Sequence, residues 1–242
     1  MTCLETHCHS HHSFDCNTAI ADIIATCEQR GIKGIVICDH DVCGITPGEE
    51  QLFDEHEVKL FKAIEFTTNT DAHVIGVSPR IKELEKPRFH YELGELIQRL
   101  QAIDATIIIP HPNHGTGIIG NGKIPSDVID KAFRAAHFAE MENYRYGKTR
   151  TSFSDKYPHL RLVIGSDAHS SKSVGSFVNK VDAVKDTLRL SLNQEIQYVK
   201  NAEHGRSYWM MKAVKRTSLY QMIINILPAN VRREIKNKLI NK

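Results

Sequence analysis

The sequence predicts an α/β domain built on a mostly parallel sheet or barrel. Short apolar runs alternate with helical patterns along residues 1–205, with no internal repeat or Gly/Ser linker between them. Most of these runs are followed at once by polar residues suited to chemistry, as happens where parallel strands end on one face. Histidine is also unusually frequent, with 14 in 242 residues.

The first strand is read over residues 2–6, ahead of His7-Cys8-His9. Thr18 is the expected cap of a helix carrying Ile20, Ile23 and Ile24, and Gly31 ends it because glycine readily takes the left-handed turn that closes helices. A second strand, 34–38, runs into Asp39-His40-Asp41. Thr46-Pro47-Gly48-Glu49 combines an N-cap, a first-turn proline and a capping-box glutamate, so a helix starts there. The third strand, 60–65, finishes at Glu65, and the turn at Asn69-Thr70-Asp71 sets an additional strand, 72–77, beside it. Strands over 105–110, 138–142 and 161–165 run into His111, Glu142 and Ser166-Asp167-Ala168-His169. Ser191-Leu192-Asn193-Gln194 offers another capping box, predicting a helix through Ile196 and Val199 to Gly205.

Composition narrows the class. No apolar run approaches the roughly 18 residues needed to span a bilayer, and the histidines and cysteines near Met1 leave no hydrophobic core for a signal peptide. The six cysteines (3, 8, 16, 27, 38 and 43) form no CxxC pair and read as free thiols, so a reducing cytoplasm is the expected location. Charge is uneven. From Lys200 to Lys242 ten Lys and Arg oppose Glu203 and Glu234, giving that segment +8 within a chain total of +2. The expected organisation is a domain over 1–205 and a basic amphipathic helical tail over 206–242. Leu219, Met222, Ile223 and Ile226, then Val231, Ile235 and Leu239 beyond Pro228, recur at helical spacing. Three readings compete for that tail: docking on the acidic barrel or a second subunit, adsorption to an anionic membrane, and non-specific contact with nucleic acid. Charge attraction favours docking on protein.

His7 and His9 stand two apart on an extended segment, so both imidazoles face one side and can grip one ion, while Cys8 faces the wall. Asp167 and His169 repeat that spacing with an oxygen and a nitrogen. Asp39 and Asp41 are placed to orient the ring of His40. Glu65 closes a buried-looking run, where a carboxylate needs a partner, and bridging two cations would supply one. Of the alternate residues Glu140 and Glu142, the second lies nearer the strand end and is the favoured ligand. His56, His90, His159 and His204 read as solvent-facing, and His73 and His137 as hydrogen-bonded structural residues.

As an ordered set, Glu5-Thr6-His7-Cys8-His9-Ser10, Cys38-Asp39-His40-Asp41, Ile64-Glu65, Pro110-His111-Pro112, Glu142-Asn143 and Gly165-Ser166-Asp167-Ala168-His169 resembles the PHP (polymerase and histidinol phosphatase) superfamily of metal-dependent phosphoesterases. The resemblance covers roughly residues 3–205. It implies a distorted (β/α)7 barrel with a trinuclear metal site at the strand C-terminal ends. It would place His7, His9, Glu65 and Asp167 around one ion, and Glu65, His111 and Glu142 around a second. Asp15, His40 and His169 would hold the third. This chain departs from the usual motif in having Glu5 in place of Asp, and its Asp15 lies in Ser13-Phe14-Asp15 with His11 and His12 nearby.

The expected cofactors are two to three divalent ions, Zn, Mn or Fe, since imidazoles and carboxylates suit these better than thiolate-rich sites do. The expected reaction is hydrolysis of a small phosphomonoester by a metal-bridging hydroxide, with Glu65, Asp167, His40 and Arg145 as the catalytic set. Arg145 would grip the phosphate, with Lys172, Asn113 and His114 as further loop contacts. The Gly-rich segment 116–122 lacks the lysine and spacing of a nucleotide-triphosphate loop and reads as a lip of the pocket. A nucleotide or oligonucleotide phosphodiesterase is the runner-up, ahead of an amidohydrolase or a non-enzymatic metal-binding barrel. Nucleic acid is therefore a less favoured partner than a small phosphorylated substrate.

Overall fold

The computed structural model describes residues 1–85, 90–149, 152–153 and 156–201. The expected basic tail lies outside the described residues. Residues Met1–Asn201 pack as one unit.

β1 (Thr2–Cys8) pairs in parallel with β2 (Ile32–Ile37), and β2 in parallel with β3 (Lys59–Thr67). β4 (His73–Val77) turns back against β3 and runs antiparallel to β5 (Thr106–Ile109) as well. The parallel sense resumes with β6 (Phe138–Asn143). The two-residue β7 (Gly147–Lys148) pairs antiparallel with β6, and β8 (Arg161–Gly165) pairs with β6 in parallel. The curled sheet almost closes. Just past its end β8 meets β1 in a bridge between Cys8 and Ala168, reinforced by His9 N–H donating to Ala168 O at 2.9 Å. β9 (Phe177–Val181) and β10 (Gln197–Lys200) extend the sheet beyond β1 in antiparallel fashion. The result is a distorted α/β barrel.

Its interior is apolar below the mouth. Leu4, Val36, Phe61, Ile75, Ile108, Phe138 and Val163 come from seven different strands and pack in one cluster with Leu188 and Leu192 of α5 (Leu188–Leu192). Each such side chain contributes about 1.5–3 kcal/mol when fully buried. Outside, α1 (Ile20–Arg30) buries Ile20, Ile23, Ile24 and Cys27 against β1 and β2. α3 (Leu93–Ala102) and α4 (Ser126–Ala135) cover β3–β6 with Leu96, Leu100 and Phe133.

The helix starts follow the sequence with two corrections. Thr46 caps α2 (Pro47–Glu55) in a complete capping box with Glu49, and Gly31 closes α1 at φ 64°. Thr18, however, is one residue too early. Ala19 takes the N-cap position of α1 without a side-chain bond, and Thr18 instead accepts from His11 N–H through its carbonyl. The helix expected from Ser191 is also replaced. Thr187 caps the short α5, and Gln197–Lys200 leaves the helical pattern to pair with β9. Strand pairing with an edge outweighs a local capping signal.

Candidate metal centre

Two bulges set the site. On β1 the register against β2 slips between Glu5 and Cys8. A bulge turns the side chains that follow to the other face. His7 and His9 therefore face the mouth although Leu4 points into the apolar interior, and Cys8 packs outward among Ile20, Ile23 and Ile37. On β6 the register slips between Glu140 and Glu142. Glu140 stays with the site: its Oε1 lies 2.8 Å from His7 Nδ1, and its Oε2 accepts from His111 N–H and Asn143 Nδ2, each at 2.8 Å. Glu142 does not. Its Oε2 sits 2.6 Å from Lys200 Nζ on β10, and it joins none of the donor clusters among the described residues. The bulge breaks the alternation on which the strand-end preference for Glu142 rested.

Glu65 is the centre of the arrangement. Its Oε2 lies 3.3 Å from His7 Nε2 and 3.2 Å from His9 Nε2. Its Oε1 lies 3.1 Å from His111 Nε2 and 3.0 Å from His73 Nδ1. Asp167 Oδ1 faces His9 Nε2 at 3.4 Å and His7 Nε2 at 3.7 Å. A further group joins His9, Asp15, His40 and His169, with Asp15 Oδ2 at 3.0 Å from His169 Nε2 and 3.7 Å from His40 Nε2. The structure thus brings together His7, His9, Asp15, His40, Glu65, His111, Asp167 and His169.

His73, expected as a hydrogen-bonded structural residue, stands beside Glu65 at the mouth. Because β4 is antiparallel, its first residue, not its last, lies at the mouth, paired with Thr67 at the end of β3. The hairpin turn before residue 72 already carried that signal. The segment 116–122 contributes here as well, since Thr116 O accepts from His73 N–H at 2.8 Å.

The aspartates beside His40 are not its supports. Asp39 accepts from Ser10 N–H at 2.6 Å and Ser10 Oγ–H at 2.7 Å, and Asp41 accepts from Thr67 N–H at 2.7 Å. They hold the β1–α1 loop and the end of β3. Glu5, fully buried, accepts from the backbone N–H groups of His7, Ser166 and Gly175 and from the Ser166 hydroxyl. It ties β1 to the turn carrying Asp167. His111 and Asp167 both adopt positive φ, 29° and 50°. Such backbone costs a non-glycine residue roughly 1–2 kcal/mol and persists only where neighbours impose it. Here the Glu140 carboxylate and the Cys8–Ala168 bridge do so.

Electrostatics suit cations. Burial pushes the Glu65 and Asp167 carboxyls up, yet His7 and the other facing bases hold both well below the usual carboxylate range. Burial, with Arg145 adding to it, lowers His169 to about 4, and burial lowers His40 to about 3. Both offer neutral imidazoles. Burial raises the Cys8 and Cys38 thiols, and the Cys38 thiol donates to Cys8 O at 3.6 Å.

The donor set fits metal ions. His7 Nε2 and His9 Nε2 face each other at 3.2 Å, and Nδ1 of His9 and of His111 are buried without a hydrogen-bond partner. Imidazoles and carboxylates converging on shared points are the ligands that zinc, manganese and iron take. Arg145 lies over His169, with Nη1 2.7 Å from Nδ1 and 3.0 Å from Nε2, and 3.4 Å from Asp167 Oδ1. His114 stacks on Tyr146 with ring centroids 3.7 Å apart, and Lys172 is exposed.

A distorted barrel whose strand ends gather six histidines and three carboxylates defines a metal-dependent hydrolase. The PHP domain family model matches residues 5–189, and the chain belongs to that family. It is a hydrolase of phosphoester bonds. Over 207 residues it is 26% identical to a protein of Syntrophotalea carbinolica that bears the name Probable phosphatase, covering 75% of this chain and 86% of that one. Its fold matches a two-domain Bacteroides vulgatus protein containing a predicted PHP-like metal-dependent phosphoesterase, with TM-score 0.64 and 16% identity over 82% of this chain. It also matches endonuclease Q bound to a 27-mer duplex with an abasic lesion, with TM-score 0.60 and 16% identity over 79% of this chain. The chain spans 64% and 56%, respectively, of those two proteins.

Proposed function

We propose that this chain is a phosphatase of small phosphomonoesters, working with three divalent ions of the zinc, manganese or iron class. The observation that carries the reading is the division of Glu65. One oxygen faces His7, His9 and His40 and the other faces His73 and His111, an arrangement that suits a carboxylate between two ions. His7, His9, Glu65 and Asp167 would hold the first ion, and Glu65, His73 and His111 the second. Asp15, His40 and His169 would hold the third. Bound there, such ions supply positive charge for the phosphate and a water acidic enough to attack near neutral pH.

The chain's own groups do the rest. Arg145, with Asp167 holding its guanidinium, presents the remaining N–H groups to phosphate oxygens. Glu140 fixes the ring of His7 through Nδ1, so that Nε2 points at Glu65. A small substrate is favoured because the chain from Glu65 to His111 is occupied by β4, α3 and β5, which are barrel elements and not a recognition module.

The test is turnover of sugar phosphates, nucleoside monophosphates, phosphotyrosine peptides and short oligonucleotides by metal-loaded protein, beside Glu65→Gln. Release of phosphate from one or more monoesters, abolished in E65Q, is expected. Cleavage of oligonucleotides alone would replace the proposal with a phosphodiesterase.

A further inference from the structure

A second group of metal-type ligands stands outside the strand-end centre. His11 and His12, in the loop between β1 and α1, both turn their Nε2 atoms towards Glu49 in the first turn of α2. His12 Nε2 lies 3.1 and 3.0 Å from the two carboxylate oxygens, and His11 Nε2 lies 3.6 Å from Oε1. The two rings are 4.0 Å apart. One imidazole suffices to pair with a carboxylate, and 3.6 Å is too long for a hydrogen bond from the other. A cation between the three donors gives each of them a partner.

The spacing suits it. Four ligands about 2.0–2.1 Å from a tetrahedral zinc ion lie roughly 3.3–3.4 Å from one another. The observed 3.0–3.6 Å between Glu49 and the two histidines brackets that value. Glu49 is already fixed, because Thr46 N–H and Oγ1–H each donate to its Oε2 at 2.8 Å. Gly44 leaves the space that the His12 ring occupies, since a Cβ there would lie 2.5 Å from His12 Cγ. His11 is 44% exposed, so the fourth position opens to solvent.

We propose that His11, His12 and Glu49 form a peripheral, exchangeable zinc site, separate from the strand-end centre. Two imidazoles and one carboxylate select a borderline ion over magnesium or calcium. The loop it clasps to α2 also carries Asp15, so zinc here steadies a ligand of the centre without touching substrate.

Full-length protein loaded with its resident metals is equilibrated with zinc chloride, desalted and analysed for zinc. Wild type is compared with His11→Asn/His12→Asn and with Glu49→Gln, which keeps the acceptor that caps α2. The expected result is one zinc per chain more in wild type than in either variant. Carbethoxylation of His11 and His12 in wild type, mapped by mass spectrometry, should fall several-fold when zinc is added. Equal zinc contents, or labelling that ignores zinc, overturns the site. Neither outcome depends on whether the strand-end centre acts on monoesters, which the Glu65→Gln comparison decides separately.

Discussion

Glu140 and His7 meet at 2.8 Å, Oε1 to Nδ1, over a glycine that has to be one. A Cβ at Gly165 would collide with Glu140 Oε1 and come within 2.9 Å of His7 Cβ. Three strands, β1, β6 and β8, thus converge on one imidazole–carboxylate contact. Glu140→Gln should lower kcat or metal affinity by about 10–100-fold, the usual cost of losing a carboxylate behind a ligating histidine. Gly165→Ala should reproduce that loss by displacing the carboxylate. Steady-state kinetics with elemental analysis would show it, and an unimpaired G165A would refute the contact's role.

His73 faces Glu65, whereas Glu142 pairs with Lys200. His73→Ala should remove one ion per chain from the centre, whereas Glu142→Ala, whose carboxylate pairs with Lys200, should keep full metal content. Metal analysis of the two variants decides between them, and the reverse pattern would restore Glu142 as the ligand.

Arg145 should act mainly on substrate binding. Arg145→Ala is expected to raise KM at least about tenfold while the metal content stays intact. Arg145→Lys should recover little, because an ammonium cannot reproduce the planar fork that grips phosphate. Full rescue by lysine would mean that charge alone matters.

His137 gives a pH prediction away from the centre. Its Nδ1 accepts from Ile107 N–H at 3.1 Å, which requires the neutral ring at that atom. Burial, with Arg189 nearby, lowers it to about 4. A base whose folded value lies below its unfolded value of about 6.5 favours the neutral form in the fold. Its stabilising effect is therefore complete above about pH 6.5 and is lost as the pH falls towards 4. Urea midpoints should drop across that window in wild type and less steeply in His137→Asn. Parallel curves would exclude the linkage.

Much of the site was legible because strand ends in an α/β barrel share one face. His7, His9, His40, Glu65, His111, Asp167 and His169 each stand at or just beyond such an end, and a reading by position finds them. The same reading cannot locate a bulge. It assigned Glu142 by the alternation of an ideal strand, and Met141 broke that alternation. It passed over His73 because β4 runs the other way, which places a strand's first residue at the mouth. Residues 197–200 carried a helical pattern but are claimed by the free edge of β9.

Local chemistry along the chain determined the ligand types, the order of the elements, the Thr46–Glu49 capping box and the left-handed turn at Gly31, since each depends on neighbours a few residues apart. Only the tertiary structure decided which carboxylate supports His7, that Glu65 divides its two oxygens between two groups of histidines, and that His11 and His12 meet Glu49. Apart from Glu65 and His73, eight residues apart across a hairpin, those contacts join residues tens of positions apart. They depend on strand direction, register and single-residue bulges, whose energies are settled by the packing of the whole sheet.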